Sequence, residues 1–67
     1  MKFLLDRDAG QAAVRQIGSY LRRYGSGHHW VEKYRGDVFI NVVEKRDEEI
    51  LRNEFSDLVK PVDSDGE

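Results

Sequence analysis

Few side chains in this chain could do chemistry. Its only histidines, His28 and His29, are adjacent. A metal site or proton relay built on them would need both rings, or one ring and further ligands, on the same side. The segment reads as extended, and neighbouring residues on a strand point to opposite faces, so the pair cannot share an ion. His28 and Glu32 do share a face, but at the ~3.3 Å rise of a strand they lie about 13 Å apart, too far for a common metal. There is no cysteine. Ser26, Ser56 and Ser64 have no base beside them in a pattern that activates a hydroxyl. Glu48 and Glu49 are paired carboxylates of the kind acid–base catalysis uses, yet at the start of a helix they also suit the positive end of its dipole. Gly25-Ser26-Gly27 leaves a helix, whereas a phosphate-cradling loop opens one. No catalytic residue, metal ligand set or cofactor is assigned, and the expectation is a protein that is not an enzyme.

The residues that could bind a partner are more numerous. Gln11, Arg15, Gly18 and Arg22 recur on one helical stripe with Arg23 beside it. Arg15, Arg22 and Arg23, joined by Lys33, could contact phosphates. In the second half, Asp47, Glu48, Glu49, Glu54 and Asp57 form an acidic set that could imitate a nucleic-acid backbone, although Lys45, Arg46 and Arg52 interrupt it. Val31, Tyr34, Arg35 and Phe39 offer a third surface around a hairpin. Trp30 and Tyr34 read as core or loop residues, not as exposed stacking platforms. Arg35-Gly36-Asp37 spells an adhesion tripeptide, but three residues coincide by chance often, and here they read as a turn.

The balance of charge separates the two charged surfaces. The 67 residues carry 11 basic and 13 acidic side chains, for a net charge of −2. Residues 1–36 hold seven basic and three acidic residues, whereas 37–67 hold four and ten. Nucleic-acid-binding domains usually show a pI above 9, and this chain has about 5.6. A length of 67 residues allows one domain, of a size that buries only about 60% of the surface exposed by its unfolded chain. With no disulfide to help, stability must come from tight packing, a dimer interface or a partner. The absence of cysteine fits a reducing, cytoplasmic compartment. No apolar run approaches the ~20 residues of a membrane span, and the opening Met1-Lys2-Phe3-Leu4-Leu5-Asp6 turns acidic too soon for a signal peptide.

The elements that must position these residues follow from periodicity. Residues 8–24 read as a helix, with Asp8 as N-cap, Gln11 completing a capping-box-like pattern, and Ala13, Ile17, Tyr20 and Leu21 among its apolar stripe. Arg22 and Arg23 fall in its last turn and Gly25 beyond it. Residues 28–34 and 37–43 read as a hairpin. A two-residue Arg35-Gly36 loop would force Arg35 to positive φ, so the expected loop is Tyr34-Arg35-Gly36 with only Gly36 left-handed. That register sets Lys33 opposite Asp37 and Trp30 opposite Ile40. It puts Trp30, Val38, Ile40 and Val42 inside, and Val31 beside Phe39 outside. Residues 47–59 read as a second helix capped by Asp47, with Ile50, Leu51, Phe55 and Leu58 as its stripe. Pro61 stops it. Residues 1–5 read as an edge strand or as an apolar lead into the helix. The expected fold is a two-layer α+β domain of order (β)αββα over residues 1–61, with a short antiparallel sheet against two helices, followed by an acidic flexible tail, 62–67.

In its length, its acidic second half from Asp37 to Glu67 and its want of enzymatic motifs, the chain resembles the small phage-encoded inhibitors of the anti-CRISPR kind. The resemblance implies binding to a multi-subunit CRISPR effector in the bacterial cytoplasm, so that target DNA cannot enter. The resulting expectation is a non-enzymatic inhibitor, monomeric or homodimeric and without a membrane partner. It would block a nucleic-acid-processing protein complex through the acidic set and the hairpin. The alternative is a small nucleic-acid-binding module using the basic face of the first helix and the hairpin turn.

Overall fold

The computed structural model describes residues 1–62. Six elements follow one another: β1 (Lys2–Leu5), α1 (Gly10–Tyr24), β2 (His29–Tyr34), β3 (Asp37–Val42), α2 (Lys45–Glu54) and β4 (Val59–Pro61). The strands form one antiparallel sheet in the order β2-β3-β1-β4. Each helix connects two strands that have a third strand between them. This double split β-α-β topology is the ferredoxin-like arrangement.

The α+β class and the presence of a hairpin are as the periodicity predicts, but β1 and β4 extend the sheet beyond β3, so the hairpin lies at one edge and not at the centre. Residues 2–5 form a central strand, not an edge. Phe3 pairs with Ile40 of β3 on one side and with Pro61 of β4 on the other. Main-chain bonds tie the start of this strand to both of its neighbours. The Met1 ammonium donates to Val42 O at 2.8 Å, and Val62 N donates to Lys2 O at 2.9 Å. Alternation then sends Phe3 and Leu5 into the core, while Lys2 and Leu4 face the other way.

The first helix starts two residues later than Asp8 predicts, and its N-cap Ala9 offers no side-chain bond. Asp6 explains the shift. Its carboxylate accepts the Asp8 N–H at 3.1 Å and its carbonyl accepts the Ala9 N–H at 3.0 Å, which holds residues 6–9 in a turn. The second helix ends at Glu54, five residues before the expected end at 59. Phe55 O accepts the N–H groups of both Leu58 and Val59 at 2.9 Å, and this turn returns the chain alongside β1. Pairing with the otherwise open side of β1 satisfies more main-chain groups than another helical turn that Pro61 would soon end. As an edge strand, β4 tolerates a proline. Of the expected tail, residues 63–67 lie outside the described residues.

The hairpin register differs from expectation by one residue. Tyr34 pairs with Asp37, Lys33 with Val38, Val31 with Ile40 and Trp30 with Asn41. The loop is the two-residue Arg35-Gly36, with φ of 53° and 86°, the type I′ geometry whose twist matches paired strands. The left-handed arginine costs about 1–2 kcal/mol. In exchange Val31 turns to the inner side opposite Ile40, and the Arg35 guanidinium sits 5.3 Å from the centroid of the Tyr34 ring. A one-residue slip exchanges the faces of a strand, so Trp30, Glu32 and Tyr34 lie on the face away from the helices.

Both helices pack on the other face. Phe3, Leu5, Ala13, Ile17, Leu21, Ile40, Val42, Leu51, Phe55 and Val59 make the buried core. Tyr20 closes one end, edge-on to Phe55 with ring centroids 5.3 Å apart. Asp47, expected as an exposed cap and contact residue, is fully buried. It lies in the first turn of α2 and accepts the Ser26 N–H at 2.8 Å and the Ser26 hydroxyl at 2.5 Å. It thereby ties the α1–β2 loop to the second helix. Gly25 makes this approach feasible, because a Cβ there would collide with the Asp47 carboxylate and come within 2.8 Å of Leu21 O.

Candidate binding surface on the open face of the sheet

With both helices on one side, the opposite side of the sheet has no covering layer among the described residues. Its middle is Phe39 on β3, half-buried between Leu4 of β1 and Glu32 of β2. Trp30 and Tyr34 flank it diagonally on β2, with 52% and 61% of their surfaces exposed. These two rings were expected in the core or a loop, and the register places them on an open face instead. Diagonal neighbours on paired strands are within reach of aromatic side chains, so the rings form one apolar band across the hairpin.

Charges surround this band. The Lys2 ammonium lies 5.2 Å from the centroid of the Phe39 ring and 3.6 Å from Glu32 Oε1. Asn41, almost buried on this side, donates from Nδ2 to the same Glu32 oxygen at 3.1 Å. Asp37 accepts a bond from Arg7 Nε at 2.8 Å. That bond and the charge behind it push the Arg7 guanidinium above its already high ordinary value, so Arg7 stays cationic. Both carboxylates of the face are therefore paired. Arg35 and Lys60, both exposed, add positive charge at its margins. The side chains that could make hydrogen bonds or ion pairs here have no nucleophile and base in contact among them.

The other expected contact residues are scattered. In the acidic set, Asp47 is interior, and Glu48 accepts from Arg52 Nε at 3.2 Å. Glu49 and Glu54 line a shallow hollow with Tyr20, Tyr24 and Arg46. Asp57 lies apart from them, in a depression with Asp6, Arg7 and Lys60. The expected hairpin surface is divided by the sheet, with Tyr34 and Phe39 on the open face, Val31 on the helix side and Arg35 at the tip. The basic set is also divided. Arg15 and Lys33 line a cleft of 430 Å³ where β2 overhangs α1, with Val14, Val31 and Val38 as its floor. Arg23 lies in a second hollow with Ser19, Tyr20 and Tyr24, which Arg15 borders as well. Gly18, expected on an outer stripe, faces β2: a Cβ there would lie 3.6 Å from His29 Nε2.

The histidines separate as strand alternation predicts. His28 is exposed, with Nδ1 3.9 Å from Glu44 Oε2, while His29 turns inward and its Nδ1 has no partner. Among the described residues, no three His, Cys, Asp or Glu side chains come together as a metal site would need. No helix among them is long and apolar enough to cross a membrane. No protein family, curated protein or solved structure matches the chain.

Tyr34 and Phe39 are legible as contact residues of the hairpin, but a three-residue loop turns Trp30 inward and so hides that the three rings share one face. The signal lay in the pairing of apolar residues. Only the two-residue loop puts Val31 directly opposite Ile40 on the buried side, at the cost of one arginine with positive φ.

Proposed function

We propose that the protein is a non-catalytic binding module whose contact surface is the open face of its sheet. The observation that carries this reading is the pair of rings, Trp30 and Tyr34, each more than half exposed on the uncovered side, with Phe39 between them. Large aromatics left in water gain little for the fold. They are the residue types that dominate binding energy when a partner covers them. The cations and paired carboxylates around the rings make a polar rim of the kind that borders such contacts. An inhibitor working through its acids is less well supported, because the acidic set divides between the interior, an internal ion pair and separate depressions.

The test compares two double variants of the full chain used as bait in bacterial lysate. Trp30→Ala with Tyr34→Ala is expected to lose the specifically retained partner. Glu49→Lys with Glu54→Lys is expected to keep it. The opposite pattern, with both variants folded by circular dichroism, would return the contact to the second helix.

A further inference from the structure

Resting on the reading of the open face as the contact surface, we infer that its ligand is single-stranded nucleic acid, with bases stacked on Trp30, Phe39 and Tyr34 and phosphates held by the cations at the rim.

Three features of the face favour this ligand. First, its apolar content is chiefly rings. Leu4 is the only aliphatic residue among the face positions in β1, β2 and β3, and it is half-buried. A surface made to cover a hydrophobic protein patch would carry more aliphatic area, whereas unpaired bases offer π-faces that aromatic side chains match regardless of sequence. Second, two of the rings already have a cation: Lys2 lies 5.2 Å from the Phe39 centroid and Arg35 5.3 Å from that of Tyr34. A base stacked on either ring would carry its phosphate within reach of a long basic side chain. Third, the charges are complementary to a polyanion. Lys2, Arg7, Arg35 and Lys60 surround the face, its carboxylates, Glu32 and Asp37, are each engaged by a cation, and Asp6 and Asp57 are confined to the Arg7–Lys60 edge. The acids of α2 lie in the layer on the far side of the sheet, where they would not oppose a bound strand.

The geometry also disfavours a duplex. The rings lie on a sheet surface, with no helix or ribbon projecting to enter a groove, and paired bases present no free face to stack on. The stacking groups carry most of the discrimination from a merely basic surface. Arg22 and Arg23 on α1 lie in the helix layer, and substituting them should leave binding by the sheet unchanged.

Fluorescence anisotropy of the full chain with labelled twelve-nucleotide probes, dT12 and rU12, tests the inference at low salt. Binding with quenching of the Trp30 emission is expected, and the two probes distinguish DNA from RNA as the source of the strand. Trp30→Ala should weaken binding about 5- to 150-fold, the range for loss of one stacked base. Lys60→Glu should weaken it and flatten its salt dependence, while Arg22→Glu with Arg23→Glu should change neither. About three phosphate contacts predict a roughly 20-fold loss of affinity between 50 and 200 mM salt. No binding of either probe at tens of micromolar protein would overturn the inference. So would binding abolished by the Arg22/Arg23 changes but indifferent to Trp30→Ala, or tighter binding to a twelve-base-pair duplex. If the probes fail but Trp30→Ala with Tyr34→Ala still releases a retained protein from the lysate bait, the nucleic-acid inference is overturned and the open-face reading survives. If neither probe nor retained partner depends on Trp30 and Tyr34, both are overturned.

Discussion

Replacing Asp47 by alanine should strongly destabilise this domain. The carboxylate is fully buried and accepts two hydrogen bonds from Ser26, at 2.8 Å from the main-chain N–H and 2.5 Å from the hydroxyl. A bond to a charged acceptor contributes about 1.5–3 kcal/mol. Ser26 is only partly buried, and water would replace some of what it loses. The lower end of that range therefore applies to each bond, giving a total of about 3 kcal/mol. For a chain of this length, the usual 0.05–0.15 kcal/mol per residue gives roughly 3–10 kcal/mol of net stability. The substitution would thus remove between a third and all of it. In thermal terms a 3 kcal/mol loss lowers Tm by about 12–24 °C in a domain of this size. Urea denaturation followed by circular dichroism gives the free energy, and Ser26→Ala supplies the second arm of a double-mutant cycle. Ser26→Ala removes the hydroxyl bond to Asp47 and the bond that Ser26 Oγ accepts from the His28 N–H at 3.1 Å. In the Asp47→Ala background it should cost only the exposed His28 bond, leaving a coupling energy of about 1 kcal/mol or more. A Tm within about 4 °C of the wild type, or strictly additive single effects, would refute the idea that this carboxylate holds the loop to the helix.

Two further stability measurements bear on the same physics. Gly25→Ala should destabilise by at least as much as one of these hydrogen bonds, because its methyl group would meet the Asp47 carboxylate and Leu21 O; an unchanged urea midpoint would show that the loop has room to move. Arg35→Asn should raise stability by about 1 kcal/mol, since asparagine accepts the left-handed region at φ 53° that arginine resists; a fall in the urea midpoint would mean that the contact of Arg35 with Tyr34 outweighs the strain.

Much of the fold is legible in the residues, and the illegible parts share a cause. The stripe of Ala13, Ile17 and Leu21 identifies α1 because 15 residues give the helical period several repeats. The hairpin shows itself through aromatic and β-branched residues on either side of Gly36. Elements of three or four residues carry no such repetition. β1 and β4 acquire strand structure from their partners, and Val59-Lys60-Pro61 looks like the end of a helix until the free side of β1 is known. The site was hidden by a choice of one residue in a turn. Local strain at Arg35 argues for the longer loop, and the pairing of Val31 with Ile40 on the helix side outweighs it. Because alternation propagates a slip along a strand, a one-residue longer turn takes Tyr34 into the loop and turns Trp30 from the open face to the interior. Within the acidic set, the burial of Asp47 was hidden for a different reason. Asp47 looks like a helix cap in sequence, and nothing local announces that its oxygens are met by Ser26, 21 positions earlier.

The central position of β1 has a consequence for how the molecule comes into being. Residues 2–5 are the first of the sheet to leave the ribosome, yet Phe3 meets Ile40 and then Pro61. The β2–β3 hairpin can close as soon as its own residues are out, but the strand made earliest has to wait for the last one made before both its flanks are occupied. Until then it presents an unpaired ladder beside apolar Phe3 and Leu5, the kind of template that other extended chains can join. Delay caused by such distant pairings slows folding, so the interval between synthesis of β3 and arrival of Val59-Lys60-Pro61 is when this small domain is most exposed to aggregation.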